Sequence, residues 1–554
     1  MGARLEAARG ARILRDRMFD YAAAGLAPPT RRPEIPGRPQ SVACVLDPVL
    51  ARDPRRAALV GRHGRFSYAE LDRAANRAVD ALRALGVGPG DRVAACLPND
   101  VDIAVAFLAA MRAGAIWVGV NRVLAAPEKA FVLEDCGAAL LLAAPDVASE
   151  LEPLRARLPS LRALVRVDPS DPQAEWGALC AQQRGDARPD VEIDPWGPAA
   201  IAYTSGTTGQ PKGAVHSQHN ILLPGAVSAA QRVYPEAVPQ GTVLPLTILN
   251  LIVLGPVQAW QNGSACVAMD RIDAQGVAEW IEKERIGSFA AVPTVIHDLL
   301  THPEVRASQL VSFTQPMVGG ATCPEEFRAL YRARFGRDVS IGYGMTEAPT
   351  AVTRADGGPV EQPGLCGLAL PQIEISIRDA SGRALPPGEE GEICVGPARA
   401  GAWAGVYTPM LGYWRRPEAT AKALRDGIYY TGDIGVQEPD GTLYIRGRRN
   451  ELILRGGANV YPAEVERVLA LHPAVSECAV FGIPDRRLGE RVAAVVVLAP
   501  GAEASAEALQ AHCASELARY KLPERIAFAR TLPRNAMSKV IKRELVPLFE
   551  ARED

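Results

Sequence analysis

The sequence carries almost no excess charge: 61 Lys and Arg stand against 63 Asp and Glu, a formal net charge of −2. Without a basic field there is no general attraction for nucleic acid or for an anionic membrane surface. The 10 cysteines are scattered singly and never form a C-x-x-C pair. That excludes zinc ribbons and thioredoxin-type redox motifs, and the thiols read as reduced and buried in a cytoplasmic protein. His216 and His219 make an isolated H-x-x-H with no cysteine beside it, too thin a pattern for a metal site. No apolar signal core opens the chain. "MGARLEAARGARILRDRMFD" mixes Arg with acids and reads as an amphipathic helix. The longest stretch without charge, 237–269, is broken by Pro245, Asn250, Gly255, Pro256 and Gln261. It reads as strand, turn and buried helix, so no transmembrane segment is expected. Internal repeats and low-complexity segments are also missing.

What is present is a chain of 554 residues, more than one hydrophobic core usually serves. Ser67 and Glu70 form an S-x-x-E capping box, and Leu71, Ala75, Ala78, Val79, Leu82 and Leu85 recur at helical spacing behind it. "RVAACLP" then reads as a buried strand, 101–113 as a helix and "AIWVGV" as another strand. This β-α-β order predicts an α/β fold, with mostly parallel sheets flanked by helices. From about Pro363, "QIEISIRD", "GEICVGP" and "GTLYIRG" are short strands between Gly- and Pro-rich turns, predicting a small β-rich subdomain. "RGRRNELILR" at 446–455 reads as a basic connector. A compact α+β unit follows, with a helix at "YPAEVERVLALHP", strands at "ECAVFGI" and "RVAAVVVLA", a helix around 505–519 and a basic helix at the tail. The expected division is a large domain over 1–449 and a small mobile one over 450–554.

The stretch "YTSGTTGQPKG" at 203–213 holds hydroxyls, glycines and a single cation, and the buried-strand pattern "WGPAAIAYT" leads into it. Glycine backbone can turn its N–H groups toward one anion, hydroxyls add donors, and Lys212 adds a compact charge. A polyphosphate is the natural guest. It is not a Walker A loop: counting from Gly206, Pro211 stands where the second glycine belongs and Gly213 where Ser or Thr belongs.

This loop resembles the phosphate loop of the adenylate-forming superfamily, which includes acyl-CoA synthetases. "GGA" at 319–321, "GYGMTE" at 342–347 (with its leading Gly), "YTGD" at 430–433, "GRRNELILRGGANVYPAEVE" at 447–466 and "PRNAMSKVIKREL" near the end resemble its further motifs, in order. The resemblance implies a ligase that couples a carboxylic acid to ATP, giving acyl-AMP and pyrophosphate, and then passes the acyl group to coenzyme A. It implies that Thr204, Ser205, Gly206, Thr207, Thr208, Gly209 and Lys212 hold phosphates, since charge-assisted hydrogen bonds suit that task. Tyr343 would stack on adenine, with Gly320, Ala321, Gly342 and Gly344 around it. Thr346 would contact the α-phosphate and Glu347 would ligate Mg²⁺, a hard cation that prefers carboxylate oxygen. Asp433 would accept the ribose hydroxyls, with Arg448 assisting. Lys539 would be the mobile catalytic cation. Asn450 would be the hinge about which the small domain rotates, and Gly456 and Gly457 would line the coenzyme A path. The chain departs from the family pattern at Ile341, where a polar residue is common, and at Ser538, where glycine is usual.

The same resemblance assigns the acyl pocket to Ile248, Asn250, Gly319 and Pro349. No acid or base occurs over 237–269, which disfavours an amino acid or a dicarboxylate and favours an apolar aliphatic or aromatic monocarboxylate. Two alternatives stay open: a ligase that loads a carrier-protein thiol, and a nucleotide-binding scaffold without turnover. The expected partners are a small carboxylic acid and coenzyme A, with no nucleic acid; a homodimer is allowed for.

Overall fold

The structure is a computed structural model that describes residues 19–185, 187–204, 211–233, 237–319, 325–348, 350–355, 364–448, 451–455, 458–485, 488–517, 519–534 and 540–550. The chain divides into two compact units. The first runs up to Glu361 and adds Cys366–Ile375 and Val395–Tyr429; the second holds Gln362–Leu365, Ser376–Cys394 and the residues from Tyr430 onward. The expected N-terminal helix falls on residues outside the described ones.

Two seven-stranded sheets form the frame of the first unit. One runs Ile341–Gly342, Met317–Gly319, Ser288–Ala291, Gln240–Thr242, Cys266–Ala268, Ala57–Val60, Arg65–Ser67. It is parallel except at its last edge. The other runs Gly412–Tyr413, Lys212–Ser217, Pro198–Thr204, Ile116–Gly119, Arg92–Cys96, Leu140–Ala143, Ala163–Arg166. It is parallel over its last five strands and antiparallel at the first two pairings. Parallel strands need both faces covered, so they read as near-continuous apolar runs. Arg92–Cys96 and Leu140–Ala143 are such runs, and nearly every residue in them is buried.

The capping box forms as expected. Ser67 N–H donates to Glu70 Oε2 at 2.8 Å, and Glu70 N–H donates to Ser67 Oγ at 3.3 Å. It starts the helix Tyr68–Ala84, whose apolar stripe Leu71, Ala75, Ala78, Val79 and Leu82 is buried. The uncharged stretch resolves into the strand Gln240–Thr242, the helix Leu249–Ile252, a π-helical turn Val253–Val257, the helix Gln258–Gln261 and the strand Cys266–Ala268. Among the described residues, no helix is long and apolar enough to cross a membrane. The described cysteines are all free thiols; Cys96, Cys136, Cys266, Cys366, Cys394 and Cys513 are buried.

In the second unit, the strands Ala458–Val460, Ile453–Arg455, Gly489–Leu498 and Val475–Asp485 form one sheet, with Arg525–Phe528 beside Gly489–Leu498. The helices Pro462–Ala470 and Ala506–Glu516 bury Val465, Leu469, Leu509 and Cys513 in one core, while Phe481, Ile483, Leu545 and Phe549 make another. Two readings differ in detail. The basic connector is in large part strand, because Leu443–Arg448 and Ile453–Arg455 both join sheets. The basic tail helix is reduced to a 3₁₀ turn, Lys542–Glu544, and a short helix, Pro547–Glu550. Lys542 is drawn instead into ion pairs with Glu451 at 3.2 Å and Glu466 at 2.8 Å.

Candidate active site

The strands Pro198–Thr204 and Lys212–Ser217 pair antiparallel, with Thr204 opposite Lys212. Thr204 Oγ1 donates to the Lys212 carbonyl at 3.4 Å. The hairpin mouth is thus closed by two of the expected phosphate-loop residues; Ser205, Gly206, Thr207, Thr208 and Gly209 lie outside the described residues. A Cβ on Gly213 would come within 2.4 Å of Ile201 Cγ2, so only glycine lets these strands approach. From behind, the Tyr203 hydroxyl donates to Asp135 Oδ2 at 2.6 Å, and Arg416 binds the other oxygen at 2.7 Å. Burial, before any charge, pushes the Tyr203 phenol upward in pKa and keeps it a donor.

Side chains alternate along a strand, so Lys212, Ala214 and His216 share one face. On the neighbouring strand Gly412–Tyr413, Tyr413 stands opposite Ala214. Its ring is therefore a diagonal neighbour of Lys212, and Lys212 Nζ lies 5.3 Å from the ring centroid. The Tyr413 hydroxyl donates to Glu347 Oε1 at 2.9 Å. Tyr429, also buried, stands near Tyr413 and Glu347. Both phenols are pushed up in pKa, by burial first and then by the Glu347 charge. Two expected site residues, Lys212 and Glu347, are thus joined through a tyrosine that sequence reasoning missed. Nothing local marks Tyr413, because its pairing with the strand of Lys212 spans about 200 positions of the chain.

Strand Ile341–Gly342 pairs parallel with Met317–Gly319, setting Gly319 beside Gly342. Tyr343 follows at the carboxyl end of that strand, where ligands of parallel sheets usually bind. Its N–H donates to Thr353 Oγ1 at 3.3 Å, and Thr353 donates to the Cys366 carbonyl at 2.6 Å. Its carbonyl accepts from Val352 N–H at 2.8 Å. Thr353 is fully buried and pins the tyrosine's backbone, another contribution the sequence did not reveal. Gly344 pairs with Ala351, and the turn carrying Thr346 and Glu347 follows directly. The Glu347 carbonyl accepts from Met410 N–H at 3.1 Å, so the turn is fixed by the segment that carries Tyr413. Gly320, Ala321 and Pro349 lie outside the described residues.

The expected acyl residues Ile248 and Asn250 are half-buried, flanked by the buried Thr247 and Leu249. The segment is held at the carboxyl ends of two strands of the second sheet. Asn99 Nδ2 donates to the Leu244 carbonyl at 2.9 Å, and Leu246 N–H donates to Asn99 Oδ1 at 2.8 Å. A Cβ on Gly119 would lie 1.8 Å from the Thr247 carbonyl oxygen, so that close approach requires glycine.

In the second unit, the part of strand Ile428–Gln437 from Tyr430 onward pairs with Leu443–Arg448 and sets Asp433 opposite Arg448, and Arg448 Nε lies 3.3 Å from Asp433 Oδ1. The turn before Asp433 is locked. Thr431 Oγ1 donates to the Ile393 carbonyl at 2.8 Å and accepts from Asp433 N–H at 3.0 Å, while Gly432 N–H donates to Glu392 at 3.0 Å. Asn450, Gly456, Gly457 and Lys539 lie outside the described residues. The residues flanking Lys539 pair through an antiparallel bridge, Arg534 to Val540, and Arg534 is engaged by Glu477 at 2.6 Å.

Among the described residues, no group of three or more His, Cys, Asp or Glu side chains is placed to hold a metal. A single carboxylate, Glu347, supplemented by substrate phosphate oxygens, matches the way Mg²⁺ is usually bound.

A model of AMP-binding enzymes matches residues 46–414, and one of the AMP-binding enzyme C-terminal domain matches 464–539. The chain belongs to the AMP-binding enzyme family. This AMP-binding enzyme is 34% identical over 498 residues to the long-chain-fatty-acid–CoA ligase FadD13 of Mycobacterium tuberculosis, spanning 88% of this chain and 94% of that one. It is also 34% identical over 495 residues to the feruloyl-CoA synthase of an Amycolatopsis species, spanning 87% and 94%. Among solved structures, ATP-bound MatB from Rhodopseudomonas palustris superposes with a TM-score of 0.82 at 28% identity, covering 93% of this chain and all of that one. The α/β architecture with a small C-terminal domain is that of adenylate-forming enzymes. Acid–thiol ligases are the enzymes this chain is similar to.

Proposed function

We propose that this AMP-binding enzyme is an AMP-forming acyl-CoA synthetase. In the first half-reaction a carboxylate oxygen attacks the α-phosphorus of ATP, forming the acyl–phosphate bond and expelling pyrophosphate. In the second a thiolate attacks the acyl carbon, forming the thioester and expelling AMP. The observation that carries this reading is the joining of Lys212 to Glu347 through Tyr413 at the mouth of the phosphate hairpin. A cation and a carboxylate held in register suit a polyphosphate and its counter-ion. In this reading Thr204, Ser205, Gly206, Thr207, Thr208, Gly209 and Lys212 hold the outer phosphates. Tyr343, with Gly320, Ala321, Gly342 and Gly344, receives adenine, and Thr346 meets the α-phosphate. Asp433 and Arg448 take the ribose. Mg²⁺, held by Glu347, would neutralise phosphate charge.

Lys539 is the catalytic cation, bridging the incoming carboxylate and the α-phosphate as negative charge builds there. Its basic neighbours Arg534 and Lys542 are committed to Glu477, Glu451 and Glu466, which favours Lys539 for the role. The small domain begins at Asn450, which serves as its hinge, and Gly456 and Gly457 line the coenzyme A path. The acid is an apolar monocarboxylate, because 237–269 offers no ionisable partner for a second charge. Ile248, Asn250, Gly319 and Pro349 line its pocket. The named substrates of the relatives, a long-chain fatty acid and a ferulic acid, are of this apolar-tailed kind.

The test is a panel of short, medium, branched, long-chain and aromatic acids, read by pyrophosphate release, with free coenzyme A and a phosphopantetheinylated carrier protein as rival acceptors. Release dependent on an apolar monocarboxylate, with coenzyme A as the productive acceptor, is expected. Turnover only with the carrier would reassign the second half-reaction, and ATP binding without acyl-AMP from any acid would make the protein a scaffold.

A further inference from the structure

Tyr413 reaches the site by an unusual route. Its strand, Gly412–Tyr413, is two residues long and pairs with the outer strand of the phosphate hairpin. Gly412 adopts φ 140, and a Cβ there would come within 2.7 Å of Thr420 Cγ2 and 2.9 Å of Leu26 Cδ2. Tyr413 N–H donates to Thr420 Oγ1 at 2.9 Å, so the backbone beneath the ring is held on both sides. The ring is only 7% exposed. Its hydroxyl has one proton, and that proton goes to Glu347. Tyr429, itself buried at 4% exposure, stands near the pair and helps keep water from it. A glutamate side chain is long and rotamer-rich, and holding it in one orientation costs entropy that a fixed donor offsets in advance. The hydrogen bond engages Oε1 and leaves the Oε2 lone pairs for a cation. The ring face meanwhile holds Lys212 at 5.3 Å.

We propose that Tyr413 is a positioning residue that orients the Glu347 carboxylate for a divalent cation with its hydroxyl and steadies Lys212 for phosphate with its ring. This rests on the proposed ATP-binding role of Glu347 and Lys212. Two functions of one side chain are separable by substitution. Tyr413→Phe keeps the ring and deletes the hydroxyl; Tyr413→Leu removes both.

The test uses the full chain with ATP, and Mn²⁺ as the probe, its affinity for the enzyme–ATP complex read by electron paramagnetic resonance. ATP affinity is read separately without any divalent ion. Tyr413→Phe is expected to weaken Mn²⁺ about tenfold, the usual scale of a hydrogen bond to a charged group, and to leave metal-free ATP binding within about twofold. Tyr413→Leu is expected to weaken metal-free ATP binding about threefold as well, the scale of a lost cation–π contact. Should Tyr413→Phe fold poorly, Thr420→Val, which keeps the side-chain shape but removes the acceptor of Tyr413 N–H, is expected to weaken Mn²⁺ about threefold. Unchanged Mn²⁺ affinity in Tyr413→Phe, or in Thr420→Val where that variant takes its place, overturns the proposal, as does an equal loss of Mn²⁺ and metal-free ATP binding in Tyr413→Phe. Wild-type protein that binds no ATP would instead overturn the functional reading beneath it.

Discussion

His216 shows how a single residue of the Pro198–Ser217 hairpin is bound to the acid–base behaviour of the fold. It has no exposed surface and stands opposite Ala200 in the strand pair. Burial pushes its pKa down to about 4, with the Thr346 backbone pulling weakly the other way. The folded protein therefore keeps this imidazole neutral, whereas the unfolded chain binds a proton below its ordinary pKa of about 6.5. The stability tied to it is full above pH ~6.5 and is lost as pH falls toward 4, where the loss reaches ~3 kcal/mol. His216→Leu is expected to melt lower at pH 7.5 but to lose less in melting temperature between pH 7 and 4.5 than the wild type. Calorimetry across that window checks it, and parallel pH profiles would contradict it. The H-x-x-H pattern is thus a packing feature: His219 spends its Nε2 on the Val406 carbonyl at 2.9 Å.

At the scale of elements, the site depends on close backbone approach between segments far apart in the chain. Strand Ile116–Gly119 ends where Gly119 meets the Thr247 carbonyl, and Thr247 leads into Ile248 and Asn250. Gly119→Ala forces a methyl into backbone rather than into a movable side chain. It is expected to cost about 3 kcal/mol of stability and to raise KM for the acid several-fold more than KM for ATP. Steady-state kinetics with each substrate varied in turn measures this, and equal changes would mean that the contact does not shape the acyl segment.

The elements themselves were largely legible, because their signals are local: the Ser67–Glu70 box, the apolar runs of Arg92–Cys96 and Leu140–Ala143, and the period of Pro462–Ala470. Of the motif residues, Lys212 and Glu347 are brought to one tyrosine, Tyr413, and their roles are those proposed above. What the sequence hid was long-range pairing. Tyr413 beside Lys212, Thr353 under Tyr343 and Asn99 under Leu246 are each decided by sheet register, which no local pattern encodes. The tail helix was misjudged for a related reason: Lys542 found Glu451 and Glu466, distant in sequence, and local propensity gave way.

At the scale of the molecule, the residues assigned to one reaction are distributed over two compact units. Lys212, Tyr343 and Glu347 belong to the first, and Asp433, Arg448 and the segment of Lys539 to the second. A chemistry shared in this way is most exposed at Lys539, the single cation assigned to the bond-making step. The direct measurement is a single-turnover reaction with ATP labelled in the α- and γ-phosphates, run with wild type and Lys539→Ala and followed by thioester formation from supplied acyl-AMP. The account predicts acid-dependent labelled AMP and pyrophosphate from the wild type, and at least about a hundredfold slower adenylation in Lys539→Ala, with thioester formation largely kept. Label recovered as ADP and orthophosphate, or both half-reactions falling equally in the variant, would contradict it.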